Sequence, residues 1–359
     1  MRKIIECKGK DVPFGSYLEN DIVNDSNVLL LKAGTIVDSH TKSVLDKYMR
    51  PIKVSIEIPD KIKDEIAIGT VVKDDNALDL DADIKERALQ GVEYMYANPT
   101  SDSSVTAAKD VSSMLLDVTH NSSAVNISLN SLKVSDDYTF KHCVDVATMG
   151  ILVAQKLNLA QKDVEAIALA GILHDLGKTQ IPNEILNKPG KLTNEEFKTI
   201  QQHPVFGYHI IKDNKDLSEF AKTGVLFHHE KVDGTGYPLK LTSEKISLSG
   251  KLLTVVDVYD ALVTKRPYRD EIIEPASAIE MMMSMSNQFD IEILRTFLNC
   301  VVLYPIGTNL LLSDNNVYTV IAQNTGYPLR PVVKSILNGE TIDLLHDMKY
   351  LSLTILSSV

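Results

Sequence analysis

The sequence predicts a mainly α-helical chain, preceded by a small α+β N-terminal domain and followed by a small C-terminal β appendage. Three observations carry this expectation. Over about 122–300, apolar residues recur at spacings of three and four, the period of a buried helix face. Before residue 60 and after Tyr304, that period gives way to short aliphatic runs bounded by turn residues. At 359 residues the chain is long enough for two or three domains with ample buried core. The expected division is 1–60 for the α+β domain, 61–120 for a helical connector, and 121–359 for the main domain with its β appendage.

Composition narrows the function classes. Hydrophobic content of 44% and charged content of 24% are those of a globular protein. The formal net charge of −11 argues against a broad footprint for polymeric DNA or RNA. It leaves room for a small anionic ligand held by a local metal and a few basic residues. Cys7, Cys143 and Cys300 are an odd count with no C-x-x-C pair, which suits a reducing compartment. No apolar run approaches the ~20 residues of a membrane span. "MRKIIECKGKD" lacks the apolar core of a signal peptide. The expected location is the cytoplasm.

The elements follow in chain order. "NVLLLKAG" and "KVSIEIP" have strand character. Between them, Asp38 or Ser39 would cap a short helix reaching Tyr48, with Val44, Leu45 and Tyr48 on one face and His40 at the surface. "LDADIKERALQGVEYMYA" and "AAKDVSSMLLDVTH" read as helices, the second carrying His120 in polar surroundings. The polar stretch 98–106 reads as a linker or break between them. Phe140, Val144, Ala147, Ile151 and Ala154 mark one buried helix face, and Val164, Ile167, Ala168, Gly171 and Ile172 the next. Thr193 and Glu196 form a capping-box pattern. Pro204 demands a kink or a new helix start. "EFAKTGVLFHHE" is helical and ends at the turn-rich "KVDGTGYP"; "ISLSGKLLTVVDVYDALV" is apolar enough to be central. "NLLLSDNNVYTVIA" reads as two strands about a polar turn, and "RPVVKSIL" as a third.

The chemistry centres on "LAGILHDLGK", where an apolar helix ends on adjacent His174 and Asp175, followed by Gly177 and Lys178. Of the chain's nine histidines, His142, His174, His203, His228 and His229 fall on helical segments of the same domain. Asp175 and Asp257 sit on apolar segments, where a carboxylate is expensive to bury unless paired or metal-bound. Imidazole with carboxylate suits iron, manganese, zinc or nickel better than magnesium or calcium. Five histidines and two aspartates exceed the needs of one ion and suffice for two ions sharing a bridging carboxylate. Such a pair, about 3.5–4 Å apart, clamps a phosphoryl group and activates a water. Lys178, one turn beyond His174, would neutralise phosphate charge.

The stretches "YTFKHCVDVA", "LHDLGK", "HPVFGYHII", "FHHEKVDGTGYP" and "VVDVYDALVTKRPYR" resemble, in order, those of the HD-GYP family, a branch of the HD phosphohydrolases. The long "HHExxDGTGYP" string is its most specific part, and the likeness runs from about 120 to 335. The resemblance implies an HD-type helical bundle with a two-iron-type site. His142, His174, Asp175 and Asp257 would hold one metal, and His203, His228 and His229 the other, with Asp175 bridging. Iron is implied first, with manganese or another transition metal as alternatives. Lys178 would contact substrate phosphate, and Gly234, Gly236, Tyr237 and Pro238 would shape the substrate cleft. Arg266 and Arg269 would pair with phosphate. Where some members carry a glutamate that helps hold a third metal, this chain has Tyr138, which implies two metals. Lys251 stands where an arginine is common.

The implied activity is that of a cyclic-di-GMP phosphodiesterase. A metal-bridging hydroxide would open the 3′–5′ diester to pGpG, with a second hydrolysis to GMP open. Two alternatives stand beside it: a mixed cyclic GMP-AMP as substrate, and a non-catalytic cyclic-dinucleotide receptor. Residues 1–120 would carry homodimer contacts or a signalling partner.

Overall fold

The structure, a computed structural model, describes residues 2–8, 12, 16–24, 28–37, 41, 44–48, 50–57, 77–78, 80–121, 126–128, 138–188, 190–264 and 273–359. By internal contacts the chain forms two compact units: Asp75–Leu303, and Met1–Asp74 together with Tyr304–Val359.

In the N-terminal segment, β1 (Arg2–Cys7) pairs antiparallel with β5 (Ile52–Glu57), whose other edge takes β2 (Tyr17–Leu18). β3 (Ile22–Val23) and β4 (Leu29–Leu31) form a separate ribbon. Leu18, Ile22, Val37, Leu45, Ile52 and Val54 form its core, with Tyr48 packed against it. Of the helix expected up to Tyr48, Thr41, Val44 and Leu45 are helical, whereas Asp38, Ser39 and His40 lie outside the described residues.

Asp75–Leu303 is the helical unit. β6 (Ala77–Leu78) leads to α1 (Ala82–Ala97), whose first turn is capped by Asp81 accepting from the Asp83 N–H at 2.9 Å. α2 (Asp102–Asn121) follows after only a short turn, so the expected break over 98–106 ends at Ser101. Then come β7 (Asn126–Ser128), α3 (Tyr138–Lys156) and α4 (Gln161–Leu173). A 3-10 turn (Leu176–Gln180) leads to α5 (Asn183–Leu186), α6 (Asn194–Ile200), α7 (His203–Ile211) and α8 (Glu219–Phe227). The unit closes with α9 (Leu248–Val263), α10 (Pro275–Ser284), α11 (Ile291–Cys300) and β8 (Val301–Val302). The capping box at Thr193 and Glu196 is present, and Pro204 sits in the first turn of α7, a new start rather than a kink. β6, β7 and β8 make a parallel three-stranded sheet, with strands too short to leave a periodic signal.

α3 and α4 pack tightly because Gly171 faces the backbone of Ala147, where a Cβ would overlap it. α9 lies against α3, α4 and α8, with Leu252, Leu253, Val255 and Val256 fully buried. The helices expected to form a connector are part of this bundle. α1 packs on α3, α2 packs on α3 and α4, and Ala88, Val92, Met95, Ala108 and Leu115 are fully buried. The apolar spacing in both helices needs a partner surface, and the helices that carry the histidines provide it.

In the C-terminal segment, β9 (Asn309–Leu312), β10 (Val317–Ala322), β11 (Val332–Ser335), β12 (Thr341–Asp343) and β13 (Ile355–Ser358) form an antiparallel sheet in the order β12-β11-β10-β9-β13. The three expected strands are β9, β10 and β11; β12 and β13 add the edges. This sheet has its own core, including Leu310, Leu312, Val320, Val333 and Ile342. Contacts group it with residues 1–74 rather than with the bundle, a different division from the expected 121–359 domain.

Bundle membership of α2 has a measurable consequence. Leu115→Ala is expected to cost about 2–5 kcal/mol by the cavity it leaves, read by urea denaturation. A loss near zero would restore α2 to the role of a free connector.

Candidate metal centre

Local structure aims the histidines. The last carbonyls of a helix lack intrahelical partners. Three histidine rings take one each, three residues back: His174 Nδ1 donates to Gly171 O at 2.7 Å, His203 Nδ1 to Ile200 O at 2.8 Å, and His228 Nδ1 to Val225 O at 2.7 Å. A carbonyl only accepts, so Nδ1 carries the hydrogen and Nε2 is left as the inward-facing atom. His142 lies inside α3, where carbonyls are already used. Its Nδ1 instead meets Asp260 Oδ2 at 2.6 Å.

These rings converge on Asp175, which is 1% exposed. Its two oxygens face different partners. Oδ2 lies 3.4 Å from His174 Nε2 and 3.6 Å from His142 Nε2. Oδ1 lies 3.2 Å from His203 Nε2 and 4.0 Å from His228 Nε2. Asp257, delivered by α9, also reaches both sides, with Oδ1 3.1 Å from His142 Nε2 and Oδ2 3.4 Å from His229 Nδ1. Two groups suited to hold a metal emerge, Asp175 with His203, His228 and His229, and His142 with His174 and Asp257; within each, the ligand atoms lie inside 4.8 Å of one another.

The donor set fits cations. Asp175 Oδ1 is buried without a hydrogen-bond partner, the kind of atom whose desolvation needs a compensating charge. His203 Nε2 and His228 Nε2 stand 3.1 Å apart. Burial lowers the pKa of both rings, so both are neutral with Nδ1 protonated. Their facing lone pairs repel unless a cation lies between them. Burial likewise lowers His229. Burial opposes charge on Asp175, but the Lys178 ammonium and His174 hold its carboxyl well below the usual range. Burial also opposes charge on Asp257, but the hydrogen bond and positive charge of His142 hold its carboxyl well below the usual range. Burial opposes protonation of His142 too, yet hydrogen bonds to Asp257 and Asp260 push its pKa up to about 9.

All seven residues expected as ligands are thus brought together. Lys178 is not free, because its Nζ is bonded to Asp175 Oδ2. Gly177 has no left-handed φ and serves a close approach instead, since a Cβ there would overlap the His203 carbonyl and the Gly207 amide. Gly234 does take the left-handed region (φ +80), whereas Gly236 is needed for space against His229 O and the Lys231 amide. Tyr237 lies beside the site, its ring centroid 4.6 Å from that of His229 and the planes 32° apart, and Pro238 follows it. Lys251 pairs with Asp290 at 3.1 Å. Arg266, Arg269 and the side chain of Tyr138 lie outside the described residues.

The sequence reading missed Asp260. It sits one turn after Asp257 on the same apolar face, 3% exposed, and orients His142 from behind. Two carboxylates at i and i+3 within an apolar helix were the available signal.

The HD domain family matches residues 131–293. The cyclic di-GMP phosphodiesterase PA4108 of Pseudomonas aeruginosa is 40% identical over 208 residues, 58% of this chain and 50% of that protein. Cyclic di-GMP phosphodiesterase PdeB of Borreliella burgdorferi is 30% identical over 213 residues, 59% of this chain and 56% of that protein. The 3'3'-cGAMP-specific phosphodiesterase 2 of Vibrio cholerae is 35% identical over 170 residues, 47% of this chain and 33% of that protein. The chain spans about half the length, or less, of these relatives.

Two outcomes are expected. Asp260→Ala should weaken Mn²⁺ binding about 10–100-fold by releasing the His142 ring, read by calorimetry with circular dichroism as the folding control. The second concerns pH. In chelator-treated protein the raised His142 pKa favours folding fully below pH 6.5, and that contribution fades as the pH passes about 9. Metal needs the neutral ring, so uptake displaces this proton. Apparent affinity should rise about tenfold per pH unit through neutrality from this group, with about one proton released in calorimetry across buffers of different ionisation enthalpy. A flat affinity profile would show the ring already neutral.

Proposed function

We propose that the HD domain this chain carries over residues 131–293 hydrolyses cyclic-di-GMP. The observation that carries the reading is Asp175, a buried carboxylate whose two oxygens serve two separate histidine groups. His142, His174 and Asp257 would hold one divalent ion, and His203, His228 and His229 the other, with Asp175 shared and two ions rather than three. The mixed imidazole and carboxylate donors suit iron, manganese, zinc or nickel, and the resemblance to the HD-GYP family puts iron first among them. Bound there, the ions would supply Lewis acidity and an acidified water.

The protein groups then have definite tasks. The three Nδ1–carbonyl bonds and the Asp260 bond hold the rings rigid, so little reorganisation accompanies phosphate binding. Lys178, freed from Asp175 when that carboxylate binds metal, would turn to a phosphate oxygen. Tyr237 offers an aromatic face to a purine. Arg266 and Arg269 are proposed phosphate partners on their motif positions. Water cleaves the diester: its oxygen joins phosphorus, the bond from phosphorus to the 3′ oxygen breaks, and a proton goes to that departing oxygen, giving linear pGpG. A second round would give GMP. The free, buried thiols of Cys143 and Cys300 suit a reducing cytoplasm. Among the described residues no helix is long and apolar enough to cross a membrane.

A second reading replaces the substrate by a mixed cyclic GMP-AMP. It is favoured by the likeness to the Vibrio cholerae proteins named 3'3'-cGAMP-specific phosphodiesterases 2 and 3.

Anaerobically purified protein loaded with iron or manganese should convert cyclic-di-GMP to pGpG, followed by chromatography beside 3'3'-cGAMP. Absence of turnover with metal bound would leave a nucleotide receptor. His174→Ala with Asp175→Ala should lose metal and reduce turnover at least ~10³-fold, a loss on the scale of several kcal/mol of transition-state stabilisation. Circular dichroism should report an intact helical bundle.

A further inference from the structure

Glu230 directly follows the histidine pair and is 1% exposed, yet it belongs to neither metal-suited group. Both of its carboxylate oxygens are used elsewhere. Oε1 accepts the Leu239 N–H at 2.6 Å, and Oε2 accepts the Leu241 N–H at 2.9 Å. Between those residues stands Lys240, a non-glycine residue in the left-handed region (φ +54). That conformation is disfavoured for an L side chain and persists only where the surroundings hold it. The Glu230 main chain is fixed as well: its carbonyl accepts from Thr254 Oγ1 at 3.1 Å, one turn before Asp257 on α9.

The loop held in this way carries Tyr237. The Tyr237 N–H donates to His229 O at 3.1 Å, and its ring covers the His229 ring. Gly236 fits because it has no side chain to strike His229 O and the Glu230 backbone. The loop therefore folds back on the residues that precede it, and the carboxylate of Glu230 is its far anchor.

We propose that Glu230 is a positioning residue. It grips the 239–241 turn so that Tyr237 stays on His229, fixing that ring and the aromatic wall of the candidate site. The inference deepens the phosphodiesterase reading and rests on it for the meaning of the wall.

The chain contains no tryptophan, so Tyr237→Trp creates a single reporter at the loop. In that background, Mn²⁺ added to chelator-treated protein should quench the emission. Adding Glu230→Ala should cut the quenching severalfold and shift emission to the red. Amide exchange at Leu239 and Leu241 should speed at least ~10-fold once their buried acceptor is gone. Glu230→Gln keeps one acceptor and should fall between; it decides the question if the alanine variant fails to fold by circular dichroism. Unchanged emission and unchanged exchange in a folded Glu230 variant would overturn the proposal. Neither the emission maximum nor amide exchange requires turnover or metal. A protein inactive on cyclic dinucleotides, but with the expected shift, would sink the substrate reading and leave the role of Glu230 standing.

Discussion

A carboxylate buried at the end of an apolar helix is the constraint on which this polar centre depends. Asp175 closes α4 with almost no exposure, and an ionised carboxylate there is tenable only among compensating charges and donors. Lys178 supplies one, bonded to Oδ2 from the next turn. The rest comes from four histidines brought by α3, α4, α7 and α8. Each helix is placed by ordinary apolar packing, and the sum of those placements is a polar centre that no single element could support.

Helix ends do much of this work. An end exposes carbonyls, and a histidine at the end can satisfy one with Nδ1 while turning Nε2 inward. His174, His203 and His228 all use this device. His142, lying within a helix, needs Asp260 for the same purpose. The price of that exception is a second buried carboxylate on α9, and it makes α9 the element on which both halves of the site lean. Asp257 reaches both groups, Asp260 steadies one ring, and Thr254 ties α9 to the backbone beside His229.

Close backbone approach sets the tolerances. Gly177 lets the 3-10 turn after Asp175 lie against the start of α7, and Gly236 lets the loop fold onto His229. Neither uses the conformational freedom for which glycine is usually invoked. α1 and α2 extend the same packing outward, since α1 touches α3 and the 3-10 turn, and α2 covers α3 and α4. α1 and α2 thus pack on the helices that carry His142 and His174.

The sequence by itself determined the helical class, the capping box at Thr193, the new start at Pro204, three of the C-terminal strands and the seven residues that converge. Those signals are local, or they are residue types too costly to bury without a purpose, and both survive without coordinates. Tertiary structure decided what depends on which backbone meets which. It made α1 and α2 members of the bundle, grouped the C-terminal sheet by contacts with residues 1–74, and revealed Asp260 behind His142 and Glu230 behind the loop. It also gave Asp175 its two faces. Periodicity tells a helix which side to bury, but the partner of a buried carboxylate is chosen only when separate helices close over it.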